Sequence, residues 1–259
     1  MVDSQRSKEG TEMLEEILTT ATARKFRNFV CNSVPLQSGD SVLSVGCGPG
    51  FETAVIADEV GAEGDVTGLD VNKDVLTAAR DRCSDLPQVS FQHGDVTELQ
   101  AADESFDHVR AKQVLQFVDD VDSALEEVFR VLKPGGRVTL VEAVRESQVL
   151  HSSDPERMQR AMEVYREARG DRQFGTRFVS LLPEAGFSLE EIVPRSRVHR
   201  EINEQVEQGI EVQRGFLESS DAFDAAEVDA WEQELGELDD AGQFLFCGTT
   251  LLYLGRKPK

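Results

Sequence analysis

The stretch VLSVGCGPGF at residues 42–51 constrains this chain most: an apolar run, Val42, Leu43 and Val45, breaks into Gly46, Gly48 and Gly50. The pattern reads as a buried strand, a tight glycine turn and the start of a helix. Glycine accepts positive φ and has no Cβ, so such a turn folds sharply and lets a ligand lie against bare backbone amides. The N-terminal amides of the following helix aim at the same place. A nucleotide-like ligand site is the expectation.

From residue 41 onward, short strand-like runs alternate with helical stretches, the signature of βαβ units around a mostly parallel sheet. Strands are expected at 41–46, 65–70, 89–92, 105–111 (SFDHVRA, polar for a central strand), at RVTLVEAV beginning with Arg137, at 187–194 and at 244–255. Helices are expected at 12–30, with Leu14, Ile17, Leu18, Ala21, Phe26, Phe29 and Val30 on one face, and at 50–60, 73–83 and from Asp119 to Leu132. Lys133, Pro134, Gly135 and Gly136 stop the last of these. Asp154 followed by Pro155 reads as an N-cap with proline in the first helical position, and Gly170 lies beyond that helix's end. Further helices are expected at 176–185 and, as a pair, within 202–238, the second opened by Asp224 and Glu227 as a capping box.

At 259 residues, with 39% hydrophobic and 29% charged residues, the chain is expected to be one globular domain with insertions. The formal charge of -22 argues against nucleic-acid binding, which clustered Lys and Arg would mediate. Only seven of the 27 basic residues are lysine, and acid excess with so little lysine suggests adaptation to concentrated salt. Cys31, Cys47, Cys83 and Cys247 are scattered, without a CxxC pair or a neighbouring His at ligand spacing, so neither a disulfide framework nor a metal site is indicated. No apolar run approaches the ~20 residues that span a bilayer, and the polar start MVDSQRSKEG has no secretion signal, so a cytoplasmic location is expected.

Three features fall at the C-terminal ends of successive strands, where open α/β sheets bind ligands: the glycine turn, Asp70 and Asp95. An acid ending the second strand accepts hydrogen bonds from ribose hydroxyls, and Asp95 is suited to accept from an adenine amine. Together they describe an adenosine-shaped slot. The dinucleotide pattern G-x-G-x-x-G requires glycine at position 51, where Phe51 stands, and a G-x-x-x-x-G-K-[ST] phosphate loop is absent. A ligand without a pyrophosphate is favoured.

VLSVGCGPG, GLD, GDV, SFDHV and above all EEVFRVLKPGGRV resemble a class I S-adenosylmethionine-dependent methyltransferase. More narrowly, the chain is similar to the type 11 small-molecule group that includes ubiquinone and menaquinone biosynthesis methyltransferases. The resemblance implies a three-layer, doubly wound α/β fold: a seven-stranded, mostly parallel sheet with an antiparallel last strand and helical insertions forming a cap. On that plan 1–259 is one domain, with 1–34 an N-terminal helical cap, 40–145 the cofactor core and 146–173 and 199–240 insertions over the substrate site. It also implies that Gly46, Cys47, Gly48 and Gly50 line the methionine part of S-adenosyl-L-methionine and that Asp70 takes the ribose. Val71 would flank the adenine, Asp95 and Val96 hold its edge, Ala111 and Lys112 face the amino group through backbone, and Gln116 complete the wall.

The chain departs from this family at two positions, Ser44 where an acid is usual and Phe117 where many relatives carry histidine. His151 and His199 are the remaining candidates for a base, with His93 and His108 weaker, and Tyr165, Met162, Met158 and Phe178 are candidates to line the acceptor pocket. The expected activity is methyl transfer to a small organic molecule. A Rossmann-type NAD(P)-dependent oxidoreductase, or a non-catalytic cofactor-binding regulator, is the competing expectation.

Overall fold

The computed structural model describes residues 15–168 and 174–259. In chain order the elements are α1 (Ala21–Ser33), β1 (Ser41–Val45), α2 (Phe51–Val60), β2 (Asp65–Asp70), α3 (Lys73–Arg82), β3 (Val89–His93), β4 (Phe106–Lys112), α4 (Val121–Val131), β5 (Leu132–Leu150), α5 (Pro155–Ala168), α6 (Phe174–Glu184), β6 (Ser188–His199), α7 (Glu204–Glu218), α8 (Ala225–Asp240) and β7 (Phe246–Arg256). The seven strands form one sheet in the order β3-β2-β1-β4-β5-β7-β6. Strand β1 is parallel to β2 and β4, β2 to β3 and β4 to β5. Gly135 N–H donates to the Lys257 carbonyl and Lys257 N–H to that of Gly136, both at 2.9 Å, while His151 N–H donates to the Leu245 carbonyl. Numbers rise along β5 as they fall along β7, so the last strand is antiparallel.

The described residues form two compact units, one taking the chain up to Glu142 with Phe178–Val193 and Leu252–Lys259, the other Ala143–Arg177 and Pro194–Leu251. In the first, α2 packs Ile56, Ala57 and Val60 against Val42 and Val66 of the sheet, and Val30 and Val34 join Val141, Leu252 and Leu254 in a separate cluster. In the second, α5, α7 and α8 each contribute an i, i+4 apolar pair to one cluster: Met158 with Met162, Val206 with Ile210, and Trp231 with Leu235. The capping box at Asp224 and Glu227 forms as the sequence predicts.

Differences from the sequence reading have local causes. The N-terminal helix is broken at Thr20, whose side chain accepts from Ala23 N–H and so starts α1 afresh after a helical stretch at 15–19. Leu14 and Gly170 lie outside the described residues. Lys133–Gly136 do not separate helix from strand: β5 begins at Leu132 and accommodates them in an irregularity opposite Phe106 and His108. The polar strand β4 is a central one because its polar groups find partners: His108 Nε2 meets Thr139 Oγ1 at 2.8 Å, and Arg110, 1% exposed, reaches Cys31 Sγ and the Val34 carbonyl. Burial, helped by Arg110 and Arg137, holds His108 well below its usual pKa, so it is neutral.

The start of α5 is clamped in the second unit by Glu234, which is 6% exposed. It accepts from Ser152 Oγ, Ser153 Oγ and Arg157 Nη2 at 2.8, 2.7 and 2.7 Å. Burial opposes its charge, but these donors outweigh burial and bring its pKa down to about 2. A depressed carboxylate stabilises the fold above its unfolded pKa, and that stability is lost as pH falls through the folded value. Denaturation should therefore show a loss of up to about 3 kcal/mol between pH 5 and 2 that Glu234→Gln removes, with a lower stability of the variant at neutral pH.

Candidate functional site

The site grows from the turn after β1. Gly46 and Gly50 have φ of +61° and +83°, and a Cβ on Gly46 would run into the Val114 side chain. The turn is tied to the end of β2 by one side chain: Gly48 N–H donates to Asp70 Oδ2 at 2.9 Å and Asn72 N–H to Oδ1 at 2.9 Å. Burial raises the Asp70 pKa, although N–H donors from Asn72, Gly48 and Val71 oppose the rise. A carboxylate has about four lone-pair positions, so capacity remains for a further donor such as a ribose hydroxyl.

Phe51 fills the place where a dinucleotide site would need glycine. Arg82 lies over its ring with Cζ 3.5 Å from the centroid, and Arg27 Cζ is 5.1 Å away. Arg82 Nε also donates to the Pro49 carbonyl at 2.8 Å, so the ring and both guanidiniums brace the outside of the turn.

Next to Phe51, the first turn of α2 carries Glu52, buried and ion-paired with Lys112 at the end of β4. Arg110 Nη1 lies 3.8 Å from Glu52 Oε1, and that oxygen is buried with no hydrogen-bond partner. Arg110 is the cross-strand partner of Ser44. Burial works against ionisation of Glu52, but Lys112, Arg110 and Arg27 outweigh it and lower its pKa. A buried carboxylate from the neighbouring helix thus faces Arg110, the residue paired with Ser44 across the strands.

The remaining positions lie around the same sheet edge. Val71, directly after Asp70, is 46% exposed, an apolar side chain left in the open at the strand end. Asp95 is exposed and its Oδ1 accepts from Thr97 N–H and Oγ1, while Val96 is buried. Ala111 is buried at the end of β4, and Gln116 Nε2 donates to the Gln113 carbonyl at 3.2 Å. Gln113 has φ of +54°, a left-handed conformation that non-glycine residues seldom take and that here turns the chain away from β4. Phe117, in a short 3-10 turn, is 42% exposed. Sequence reading missed Glu52, Arg110 and Gln113; the polar character of β4 was the available signal for Arg110.

Comparison with known proteins decides the family. Residues 36–205 match the family described as a methyltransferase domain. The chain belongs to the methyltransferase-domain family. A demethylmenaquinone methyltransferase of Staphylococcus epidermidis is 35% identical over 131 residues, 51% of this chain and 54% of that protein. The chain spans about half the length of the curated relatives it matches. Among solved structures, the Bacillus YcgJ protein superposes with a TM-score of 0.65 at 19% identity, covering 91% of this chain and 99% of that one. A Haemonchus contortus phosphoethanolamine N-methyltransferase 2, solved with S-adenosyl-L-methionine, gives 0.63 at 20% identity over 99% of this chain and 58% of that one. At these identities the structures share the fold with the methyltransferase-domain chain.

The histidines and acceptor-side residues of this methyltransferase-domain protein have different surroundings. His151 is exposed, at the end of β5, and His108 is a neutral core residue. Asn203 caps α7, its Oδ1 accepting from Val206 N–H; this orients its amide so that Nδ2 donates to His199 Nδ1 at 3.0 Å. The neutral imidazole then carries its proton on Nε2 and acts there as a donor, not as a base. Phe178 is fully buried 5.7 Å from the Tyr253 ring, a core position of the first unit, whereas Met162 is buried and Tyr165 half-buried in the second unit's cluster. Burial, then the Asp70 charge, pushes the Cys47 thiol far up, so it is no nucleophile. Among the described residues no His, Cys, Asp and Glu group could hold a metal, and no helix is long and apolar enough to cross a membrane. Glu52→Gln, which leaves Lys112 and Arg110 without their buried counter-charge, should cost about 3–5 kcal/mol in chemical denaturation.

Proposed function

We propose that the chain is an S-adenosyl-L-methionine-dependent methyltransferase acting on a small organic molecule. The observation that carries this reading is the Gly48 N–H to Asp70 bond, which holds a carboxylate suited to ribose hydroxyls against a glycine turn that has Phe51 where the dinucleotide pattern needs glycine. Gly46, Cys47, Gly48 and Gly50 would line the methionine part, and Asp70 would accept from the ribose hydroxyls. Val71 would flank the adenine, Asp95 and Val96 would hold its edge, Ala111 and Lys112 would face the amino group through backbone, and Gln116 would complete the wall. Glu52 would supply the negative charge that Ser44 lacks.

When bound, the cofactor supplies a sulfonium-activated methyl group for in-line displacement. The protein then has to align the acceptor and exclude water, and the proton the acceptor loses can leave to solvent, so a dedicated base is not required. This agrees with His199 presenting a donor and with Phe117 standing where many relatives carry histidine. Demethylmenaquinone methyltransferases among the relatives support a small apolar or aromatic acceptor, and the -22 charge favours that class over nucleic acid. We place the activity in the cytoplasm, on the four unpaired cysteines, and read the acidic surface as suited to concentrated salt.

The oxidoreductase reading shares the sheet and Asp70 but is opposed by Phe51; a non-catalytic regulator is suggested by Ser44 and Phe117, and is opposed if Glu52 supplies the charge that Ser44 lacks and no base is needed. Calorimetric titration should show binding of S-adenosylhomocysteine and none of NAD, with Asp70→Ala weakening the former by about tenfold or more, roughly 1.4 kcal/mol. Binding of NAD alone would overturn the proposal.

A further inference from the structure

On β6 of the second unit, one half-buried guanidinium has no carboxylate partner among the described residues. Along the later part of β6, Arg195, Arg197 and His199 are half-buried and alternate with exposed Ser196 and Val198, so the three share one face of the strand. Elsewhere in this chain arginines collect carboxylates: Arg214 pairs with Glu218, Asp229 and Glu232, and Arg130 with Glu127 and Asp103. Among the described residues Arg197 has no carboxylate partner, and its Nε is buried without a hydrogen bond. Burial first and then Arg195 lower its pKa, and the opposing ionisable group facing it is the phenol of Tyr165. Leaving a guanidinium desolvated without an anion is costly, and a chain with 49 acidic residues has carboxylates to spare.

His199 extends the same row. Its Nδ1 is occupied by Asn203, burial and Arg197 lower its pKa, and the neutral ring therefore offers Nε2–H as a donor. Two aromatic side chains accompany the row: the Phe246 ring lies 6.0 Å from that of His199, and Tyr165 packs on the same cluster as Phe246. Arg197 thus offers a planar donor fork that matches carboxylate and phosphate oxygens, and His199 an N–H donor, beside aromatic rings.

We infer that the second unit binds a small aromatic anion, its carboxylate or phosphate held by Arg197 and the His199 Nε2–H, and its ring set beside Tyr165 and Phe246. The anion site stands on β6 and does not depend on the methyltransferase reading.

The test is a ligand-observed NMR titration of the full chain, with S-adenosylhomocysteine present, using benzoate, phenyl phosphate and neutral benzamide. Binding of benzoate, of phenyl phosphate or of both, with benzamide at least about tenfold weaker, supports the site and tells carboxylate from phosphate. Arg197→Gln should weaken the anion by about tenfold or more and leave S-adenosylhomocysteine binding unchanged, while Arg197→Lys retains part of the anion affinity. Absence of binding by either anion, equal binding of benzamide, or indifference to Arg197→Gln would each overturn the inference. If Arg197→Gln does not fold, the comparison of anion with benzamide on the wild-type chain decides alone. Failure of the wild type to bind S-adenosylhomocysteine would count against the methyltransferase reading and leave the anion result to be judged by itself.

Discussion

One hydrogen bond, from Gly48 N–H to the Asp70 carboxylate, holds the end of β2 against the turn that leaves β1. Both partners are set by their strands: parallel pairing puts Val45 opposite Leu69, which brings the residues after each strand to the same edge of the sheet. Gly46 must be glycine because Val114 occupies the space of its Cβ, and Gly50 must be able to enter a left-handed conformation to start α2. The ligand edge is therefore a consequence of backbone geometry first and of side-chain chemistry second.

Charge is arranged around that edge more unusually. The chain carries Ser44 on β1 with Arg110 opposite it on β4, and the compensating acid, Glu52, comes from the adjoining helix and pairs with Lys112. A buried ion group of this kind contributes little net stability, since desolvation offsets much of the attraction, but removal of one partner is expensive. The same reasoning separates Glu52, which has cationic partners, from Arg197, for which the described residues provide no carboxylate.

Local features were legible in the sequence and long-range ones were not. The β1–turn–α2 unit, the Asp154–Pro155 helix start and the Asp224–Glu227 capping box depend on residues a few positions apart, and all three form as read. Strand β5 runs on to Leu150 because β7, from the far end of the chain, pairs with it, and nothing in the run after Val144 announces that partner. Glu52 is not legible in the sequence because its partners, Lys112 and Arg110, are brought to it by the fold and not by sequence spacing. The sequence offers His199 as a base, but nothing in it shows that the Asn203 cap sets which ring nitrogen holds the proton.

The central claim is that the glycine turn and Asp70 form the S-adenosylmethionine site. A crystal structure of the chain with S-adenosylhomocysteine tests it most directly. The account predicts both ribose hydroxyls on the Asp70 carboxylate, with Gly46 to Gly50 against the amino-acid portion and Glu52 beside its ammonium. A ligand bound elsewhere, or bound at this turn with Asp70 still making only its Gly48 and Asn72 bonds, would contradict it.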